Sequence, residues 1–274
     1  MAIRGAGMIA LAAVAAAPAS ASAAPLVDPV SASRSVSVPS GASRSTTLTC
    51  PGTAVALHGA TTDDPAGHSV PRSDPQRWTF RFSGGAADRR VRAVLRCVRL
   101  RLPAGVSGVR LRVGTVRLPG LDVASRATRR VSLRCQRGLV PTGWGVAHGG
   151  PARGLAVVAA VPTRRGFVFE LRNRGGSAVT VTPRIRCLDR TERADDGRRH
   201  SFRTRVASFR DTGSSARHRC RRGEYSLAAG VSLDNVFLEL ARPVGARGGR
   251  WSFSGGEIAR TSLICLARRT RFRG

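Results

Sequence analysis

The chain contains no lysine, although it is strongly basic. All of its 46 basic side chains other than histidine are arginines, against 16 acidic residues, and the formal net charge at pH 7 is +30. A GC-rich genome tends to exchange lysine for arginine, but such drift replaces one cation by another and does not create an excess. A surface with this balance concentrates polyanions around it.

Closely spaced metal-binding motifs are also missing. The six cysteines form no C-x-x-C pair, and the five histidines show no H-x-x-x-H or H-E-x-x-H spacing. Zinc sites usually depend on such spacing. We therefore predict no bound metal and favour disulfides as the state of the cysteines.

The sequence lacks the common catalytic motifs: a G-x-S-x-G elbow, a P-loop and a G-x-G-x-x-G segment. The carboxylate pairs Asp63–Asp64 and Asp195–Asp196 adjoin Pro or Gly in polar segments. We predict that they form turns, with calcium binding as the alternative, although neither has EF-hand spacing. The sequence thus predicts a protein that is not an enzyme and has no catalytic residues and no cofactor.

Apolar stretches are short, and the most pronounced one lies near the N-terminus. Residues 1–24 combine one arginine, an apolar stretch from Met8 to Ala17 and small residues in an A-x-A-like pattern. This combination is typical of a secretory signal peptide, and it is shorter than the ~20 apolar residues that span a bilayer. We expect cleavage after Ala23 or Ala24 and a protein without a membrane anchor, secreted or held at the cell envelope, where disulfides persist.

What the sequence does contain is a regular cysteine pattern. The first, third and fifth cysteines lie 85 residues apart, in the order Cys50, Cys97, Cys135, Cys187, Cys220 and Cys265. Six cysteines allow fifteen pairings. The repeat favours the pairing of Cys50 with Cys97, Cys135 with Cys187 and Cys220 with Cys265. Closing a loop of about 50 residues contributes about 4 kcal/mol in the chain-entropy model, which is comparable with the stability of a small domain.

Apolar residues recur with a period of two along much of the chain. Val131, Leu133 and Cys135 alternate with polar residues, and Phe167 and Phe169 share one phase. This period indicates half-buried strands, and no long helical spacing occurs in residues 25–274. We predict an all-β protein of three tandem small immunoglobulin-like β-sandwich domains, each with one internal disulfide between its sheets and an aromatic pair packed beside it.

The repeat also predicts the domain boundaries. We expect a flexible N-terminal segment at 25–33 and β-sandwich repeats at 34–104, 105–196 and 197–274, the last with a basic tail. Residues 25–104 carry 11 arginines against 5 acidic residues (+6), residues 105–196 carry 17 against 6 (+11), and residues 197–274 carry 17 against 5 (+12). The positive field is therefore strongest in the second and third repeats.

Several motifs accompany the cysteines. Cys50-Pro51-Gly52 and Cys135-Gln136-Arg137-Gly138 open the first two repeats, Pro141-Thr142-Gly143-Trp144-Gly145 follows in the second, and a W-x-F segment precedes the closing cysteine of the first at Trp78-Thr79-Phe80. This arrangement resembles repeats found in secreted proteins of high-GC bacteria. The resemblance implies export and fold and carries no functional site. The third repeat departs from the pattern because it lacks the Pro-Thr-Gly segment.

Two basic stretches are candidates for binding anions. They comprise Arg247, Arg250, Arg268, Arg269, Arg271 and Arg273. The partners that they suggest are anionic polysaccharide, an envelope polymer or extracellular nucleic acid. Single-strand binders also need stacking aromatics, but the alternation around Trp78, Phe80, Phe82 and Trp251 indicates core positions. We therefore predict a binding protein for anionic polymers, with a structural or spacer protein of the envelope, without a specific ligand, as the alternative.

Overall fold

The structure of the protein is a computed structural model, and it describes residues 26–62, 68–83, 86–102, 107–148, 154–193, 195, 197, 199–233, 238–244, 250–255, 258–267 and 271–273. These residues form no helix, and their strands pair in antiparallel sheets. The all-β prediction is therefore confirmed. No described segment forms a helix with the length and apolar character needed to cross a bilayer. The predicted signal peptide, residues 1–24, lies outside the described residues.

The first unit has six strands in two sheets. Its strands are β1 (Leu26–Val38), β2 (Ser43–Thr49), β3 (Val55–Thr62), β4 (His68–Pro71), β5 (Arg77–Ser83) and β6 (Arg89–Arg101). One sheet has the order β1-β6-β3 and the other has the order β2-β5-β4. Successive side chains of a strand point to opposite faces of its sheet. In β5 this places Trp78, Phe80 and Phe82 on the core face, where they are fully buried.

The second unit has the same pairing order. Its strands are β7 (Val113–Arg117), β8 (Leu121–Val123), β9 (Thr128–Arg134), β10 (Leu139–His148), β11 (Leu155–Pro162), β12 (Gly166–Asn173) and β13 (Val179–Asp189). Strand β13 lies between β10 on one side and β7 and β8 on the other, so these two short strands take the place of β1. The facing sheet has the order β9-β12-β11.

The third unit follows a small connecting sheet. The chain continues through β14 (Thr191–Arg193), β15 (Arg199–Ser201), β16 (Thr204–Arg210), β17 (Ser215–Arg219), β18 (Glu224–Leu233), β19 (Leu238–Val244), β20 (Arg250–Gly255), β21 (Ile258–Ala267) and β22 (Arg271–Arg273). The order β16-β21-β18 faces the order β17-β20-β19. Strands β14, β15 and β22 form a separate three-stranded sheet.

Each unit is thus a small β-sandwich of immunoglobulin-like type. In an immunoglobulin constant domain the first strand belongs to the four-stranded sheet. Here the first strand of each unit pairs instead with the last strand of the facing sheet. The three sandwiches therefore share the same order of strand pairing.

The three disulfides confirm the predicted pairing. They join Cys50 to Cys97, Cys135 to Cys187 and Cys220 to Cys265, at sequence separations of 47, 52 and 45. The first cysteine of each unit directly follows β2, β9 or β17, and the second lies in β6, β13 or β21. Because these strands belong to opposite sheets, each bond links the two layers, and it contributes about 4 kcal/mol by constraining the unfolded chain.

The aromatic residues pack against the disulfides, as predicted. Trp78, Phe80 and Phe82 share one buried cluster with Cys50 and Cys97. In the second unit Phe167 and Phe169 are buried together with the second disulfide. The side chain of Trp251, also predicted to be in the core, is not among those described.

Within the segment that the sequence predicts to be flexible, 25–33, the described residues belong to strand β1. Leu26–Val38 pairs with β6 along its whole length, from Arg101 back to Arg89. The Asp28 carboxylate also accepts hydrogen bonds from the Nε atoms of Arg99, at 2.9 Å, and Arg101, at 3.2 Å. Edge pairing and these two ion pairs order the segment.

Within the predicted basic tail, Arg271–Arg273 form strand β22. Strand β22 pairs with β15, and β15 pairs with β14. The predicted boundary between residues 196 and 197 therefore falls between two strands of one sheet.

The second and third units share a continuous sheet. Strand β11 pairs with β18 through Ala159 opposite Ser232 and Ala160 opposite Val231, which gives the six-stranded order β16-β21-β18-β11-β12-β9. A Cβ atom at Gly230 would overlap the Ala160 carbonyl oxygen and the Pro162 ring. Glycine at this position therefore allows the two units to approach at backbone distance.

Candidate anion-binding site

The structure separates the arginines that the sequence singled out. Arg247, Arg268 and Arg269 lie outside the described residues. Arg250 begins β20 in one three-stranded sheet, whereas Arg271 and Arg273 lie in β22 of another. Their strands are described and their side chains are not. A different set of arginines lines the surface where the second and third units meet.

Three adjoining cavities lie at this junction, and all three are lined by Thr163 of the turn between β11 and β12. The largest, of about 840 Å³, lies on the face of the shared sheet and is lined by Arg130 of β9 and by Arg210 and Arg260 of the third unit. It spans the junction, because β9 and β16 are the two edges of the six-stranded sheet.

The other two cavities lie at the end of the second unit. A cavity of about 560 Å³ is lined by Arg134, Arg164, Arg165 and Arg190. A cavity of about 320 Å³ shares Arg164 and Arg190 with it and extends to Arg205. We call the three cavities together the basic groove, and its exposed arginines are Arg130, Arg134, Arg164, Arg165, Arg190, Arg210 and Arg260.

Among the described residues, the exposed arginines of the basic groove form no ion pairs. In the part of the chain that the structure describes, none of them forms an ion pair with a carboxylate. Arginines with free planar forks can bind carboxylate or phosphate through two hydrogen bonds each. The groove therefore offers several arginines that are not held in ion pairs within one connected space.

Acidic groups beside the groove are mostly engaged. Glu224 holds Arg205, with Oε2 accepting from Nη2 at 2.7 Å and Oε1 accepting from Nε at 3.3 Å. Burial raises the pKa of Glu224, but the hydrogen bonds and charge of Arg205 and the backbone N–H of Arg221 outweigh it and hold the pKa below its usual value. This carboxylate is therefore ionised and restrains Arg205.

Asp211 accepts two hydrogen bonds at the edge of the largest cavity. Its Oδ2 accepts from the Thr261 hydroxyl at 2.6 Å, and its Oδ1 lies 2.7 Å from Nε2 of His218. The His218 ring also stacks on Phe209, with 3.9 Å between centroids. Because the threonine hydroxyl is bound to the acid and not to the imidazole, the arrangement differs from a base-activated nucleophile.

The buried arginines of the protein have a different role. Arg186 of β13 is fully buried and donates from Nη2 to the carbonyl oxygens of Asp74, at 3.3 Å, and Arg77, at 3.2 Å. Its Nη1 donates to Thr115 Oγ1 at 3.0 Å, and its guanidinium lies 5.7 Å from the Trp78 ring centroid. Burial lowers the pKa of Arg186 to about 10, so it stays charged at neutral pH and fastens the second unit to the β4–β5 turn of the first.

The core of this interface contains a neutral histidine. His58 of β3 lies 5.9 Å from the Trp78 ring and 6.2 Å from the Trp144 ring. Burial, and then the charge of Arg96, lower the pKa of His58 to about 3. Trp144 also connects to the third unit, because its Nε1 donates to the Ala229 carbonyl oxygen at 2.7 Å.

Other candidate sites have less to offer. The grouping of Cys220, Glu224 and Cys265 has ligand atoms close enough to hold a metal, but the two cysteines are joined in a disulfide and lack thiolates. Asp195 accepts a hydrogen bond from the Ser107 hydroxyl at 2.8 Å, whereas Asp63, Asp64 and Asp196 lie outside the described residues.

The sequence contained a partial signal for the groove. The charge excess of the second and third repeats pointed to the half of the molecule that contains the groove, and Arg164–Arg165 is a basic pair between two apolar strands. No local pattern shows that β11 meets β18, so no local pattern shows that Arg130 and Arg260 line one cavity.

Comparisons with known proteins define no family for this arrangement. No protein-family model matches the sequence, and no curated protein matches it significantly. The structure defines an all-β protein of sandwiches that each contain one internal disulfide. A basic groove lies where two of the sandwiches meet.

Proposed function

We propose that this is an exported, non-enzymatic tandem-repeat protein that binds an anionic polymer of the envelope or the extracellular space along the basic groove. The observation that carries the proposal is the set of exposed arginines at the junction of the second and third units, which form no ion pairs with the residues that the structure describes. The three disulfides support export, because such bonds persist outside the cytoplasm.

The shape of the site supports a polymer over a small ligand. The three cavities adjoin one another, and their walls come from both units. The shared sheet and the Trp144–Ala229 hydrogen bond hold these walls in fixed positions. Backbone positions that are already fixed reduce the conformational entropy that is lost on binding.

The test compares two double variants with the same net charge. Arg164→Ala/Arg190→Ala removes two cations from the groove, and Arg34→Ala/Arg44→Ala removes two exposed cations from the first unit. With dextran sulfate as the probe, we expect the groove variant to lose at least about tenfold in affinity. Its plot of log affinity against log salt should become shallower by roughly 1.5, since two ion contacts are lost.

The control variant separates a site from general charge. Its affinity should change by less than about twofold, because exposed charges far from the ligand are screened by salt. Equal losses in both double variants would show that dextran sulfate responds only to net charge and would refute the groove as a binding site.

The second candidate function is a structural spacer of the envelope. It is favoured by the rigid junctions between units, in which Arg186 and the shared sheet fix their neighbours. A spacer predicts affinity for the polymer that is unchanged in Arg164→Ala/Arg190→Ala and flat with salt, so the same experiment distinguishes the two functions.

A further inference from the structure

The two smaller cavities of the basic groove form one trough with distinctive chemistry. They share Val140, Thr163, Arg164 and Arg190 and lead from Arg134 of the second unit to Arg205 beside the third. The lining residues of these two cavities include no carboxylate, whereas the largest cavity is lined by Glu170 and Asp211. The most strongly positive part of the groove is therefore this trough.

The guanidinium groups of the trough come from separate segments of the chain. Arg134 ends β9, Arg164 and Arg165 lie in the turn between β11 and β12, and Arg190 follows β13. A carboxylate has two oxygens in one plane, and a single guanidinium fork can engage both of them at once. A phosphoryl group has tetrahedrally arranged oxygens, so several guanidiniums can bind it from different directions.

Hydroxyl groups add further donors around the same space. Ser132, Thr163 and Thr204 line the trough. The Thr163 oxygen accepts a hydrogen bond from the Arg165 backbone N–H at 3.4 Å, so its own proton is available to an acceptor. Phosphoryl oxygens are strong acceptors and can take hydrogen bonds from hydroxyls and guanidiniums together.

The trough lacks a stacking surface for bases. Phe167 is the aromatic residue that lines it, and its side chain is fully buried in the core. Proteins that bind single-stranded nucleic acid stack successive bases on exposed aromatic side chains. The chemistry of the trough therefore suits the backbone of a phosphate polymer and provides nothing for a base.

We propose that the trough binds a linear phosphate polymer that carries no bases. This inference rests on the proposed function and specifies its ligand. The polymer's successive phosphoryl groups neutralise Arg134, Arg164, Arg165 and Arg190, and Arg205 remains held by Glu224 at the end of the trough.

The experiment compares three probes that carry the same number of charges: linear polyphosphate, poly-L-glutamate and a single-stranded oligonucleotide of mixed sequence. We expect the full-length oxidised protein to bind polyphosphate at least about tenfold more tightly than either of the others at the same salt concentration. Arg164→Lys, which keeps the charge and removes the fork, should weaken polyphosphate binding about fivefold. The matched Arg44→Lys variant should leave it unchanged.

The outcomes separate the inference from the function on which it rests. If poly-L-glutamate binds as tightly as polyphosphate and loses affinity in Arg164→Ala/Arg190→Ala, the phosphate inference is overturned and the groove function stands. If the oligonucleotide binds most tightly, the ligand is a nucleic acid and the inference is overturned. If the groove variant and the Arg34→Ala/Arg44→Ala control behave alike with every probe, the inference and the proposed function both fall.

Discussion

Arginine serves two purposes in this protein, and two regions show the difference. At the interface of the first and second units, Arg186 is fully buried and donates to two backbone carbonyls and a threonine hydroxyl. In the basic groove, Arg164 and Arg190 are exposed and have no carboxylate partner in the described residues. The first arrangement engages both terminal nitrogens of the guanidinium within the protein, and the second leaves the guanidinium available to a ligand.

Burial decides which purpose an arginine serves. A buried guanidinium without acceptors would lose its hydration without compensation, and the terminal nitrogens of Arg186 find acceptors within the protein. An exposed guanidinium keeps its hydration and makes little difference to stability. We therefore expect substitution of the buried arginine to lower the free energy of unfolding, and substitution of the exposed arginines to lower the affinity for the ligand.

The largest effect is expected from Arg186→Met. The substitution keeps much of the side-chain volume but leaves the carbonyl oxygens of Asp74 and Arg77 without their charged donor. Since backbone carbonyls cannot be replaced by apolar groups, we expect a loss of about 3 kcal/mol in the free energy of unfolding. Urea unfolding of the oxidised protein measures it.

Arg164→Met is the matched control in the groove. Its free energy of unfolding should stay within about 0.5 kcal/mol of the wild-type value, while its affinity for polyphosphate falls. Arg186→Met should retain affinity in conditions where it is folded. Similar losses of stability in both variants would end the distinction between the two regions.

The second largest effect concerns pH and the same interface. The folded-state pKa of His58, about 3, lies below its ordinary value of 6.5. As the pH falls below 6.5, His58 becomes protonated in the unfolded chain but stays neutral in the folded protein. The free energy of unfolding therefore decreases by about 1.4 kcal/mol per pH unit. We expect a contribution of about 2 kcal/mol to be lost at pH 5 and none to be lost above pH 7.

The His58→Gln variant identifies the source of this loss. Between pH 6.5 and pH 5, the slope of its unfolding free energy against pH should be smaller than that of the wild type by up to about 1.4 kcal/mol per pH unit, which corresponds to one proton. The slope is the readout, so a general loss of stability in the variant does not disturb the test. Identical slopes would mean that His58 is not kept neutral by the fold. Affinity for polyphosphate should not depend on this histidine.

The sequence predicts local features of the fold better than its interfaces. The cysteine spacing and the alternation of Phe167 and Phe169 depend on neighbours within one unit, so they predict the disulfides and the strands. Alternation predicts that Arg186, between the buried Ile185 and Cys187, faces solvent. It is buried because the first unit covers that face.

The same limit applies to the segment that resembled a repeat motif. Gly143 and Gly145 belong to that segment, but their role becomes visible only in the assembled structure. A Cβ atom at Gly143 would overlap the Leu57 carbonyl oxygen, and one at Gly145 would overlap that of Ser69. These glycines let β10 lie directly on the first unit, and the identity of the contacting strand is not encoded within the repeat.

The smallest predicted effect is a gain of affinity in Glu224→Gln. In the wild type, Glu224 neutralises Arg205 at the end of the trough, so Arg205 resembles the satisfied arginines more than the free ones. Removing the carboxylate charge releases Arg205 toward the ligand, and we expect polyphosphate to bind about two- to threefold more tightly, as for a single exposed ion contact. Asp28→Asn is the control, because it removes an acid that holds Arg99 and Arg101 in the first unit and changes the net charge equally. An equal gain in the control would assign the effect to net charge. A gain confined to Glu224→Gln would show that this single carboxylate decides whether Arg205 is held within the protein or is available to the ligand.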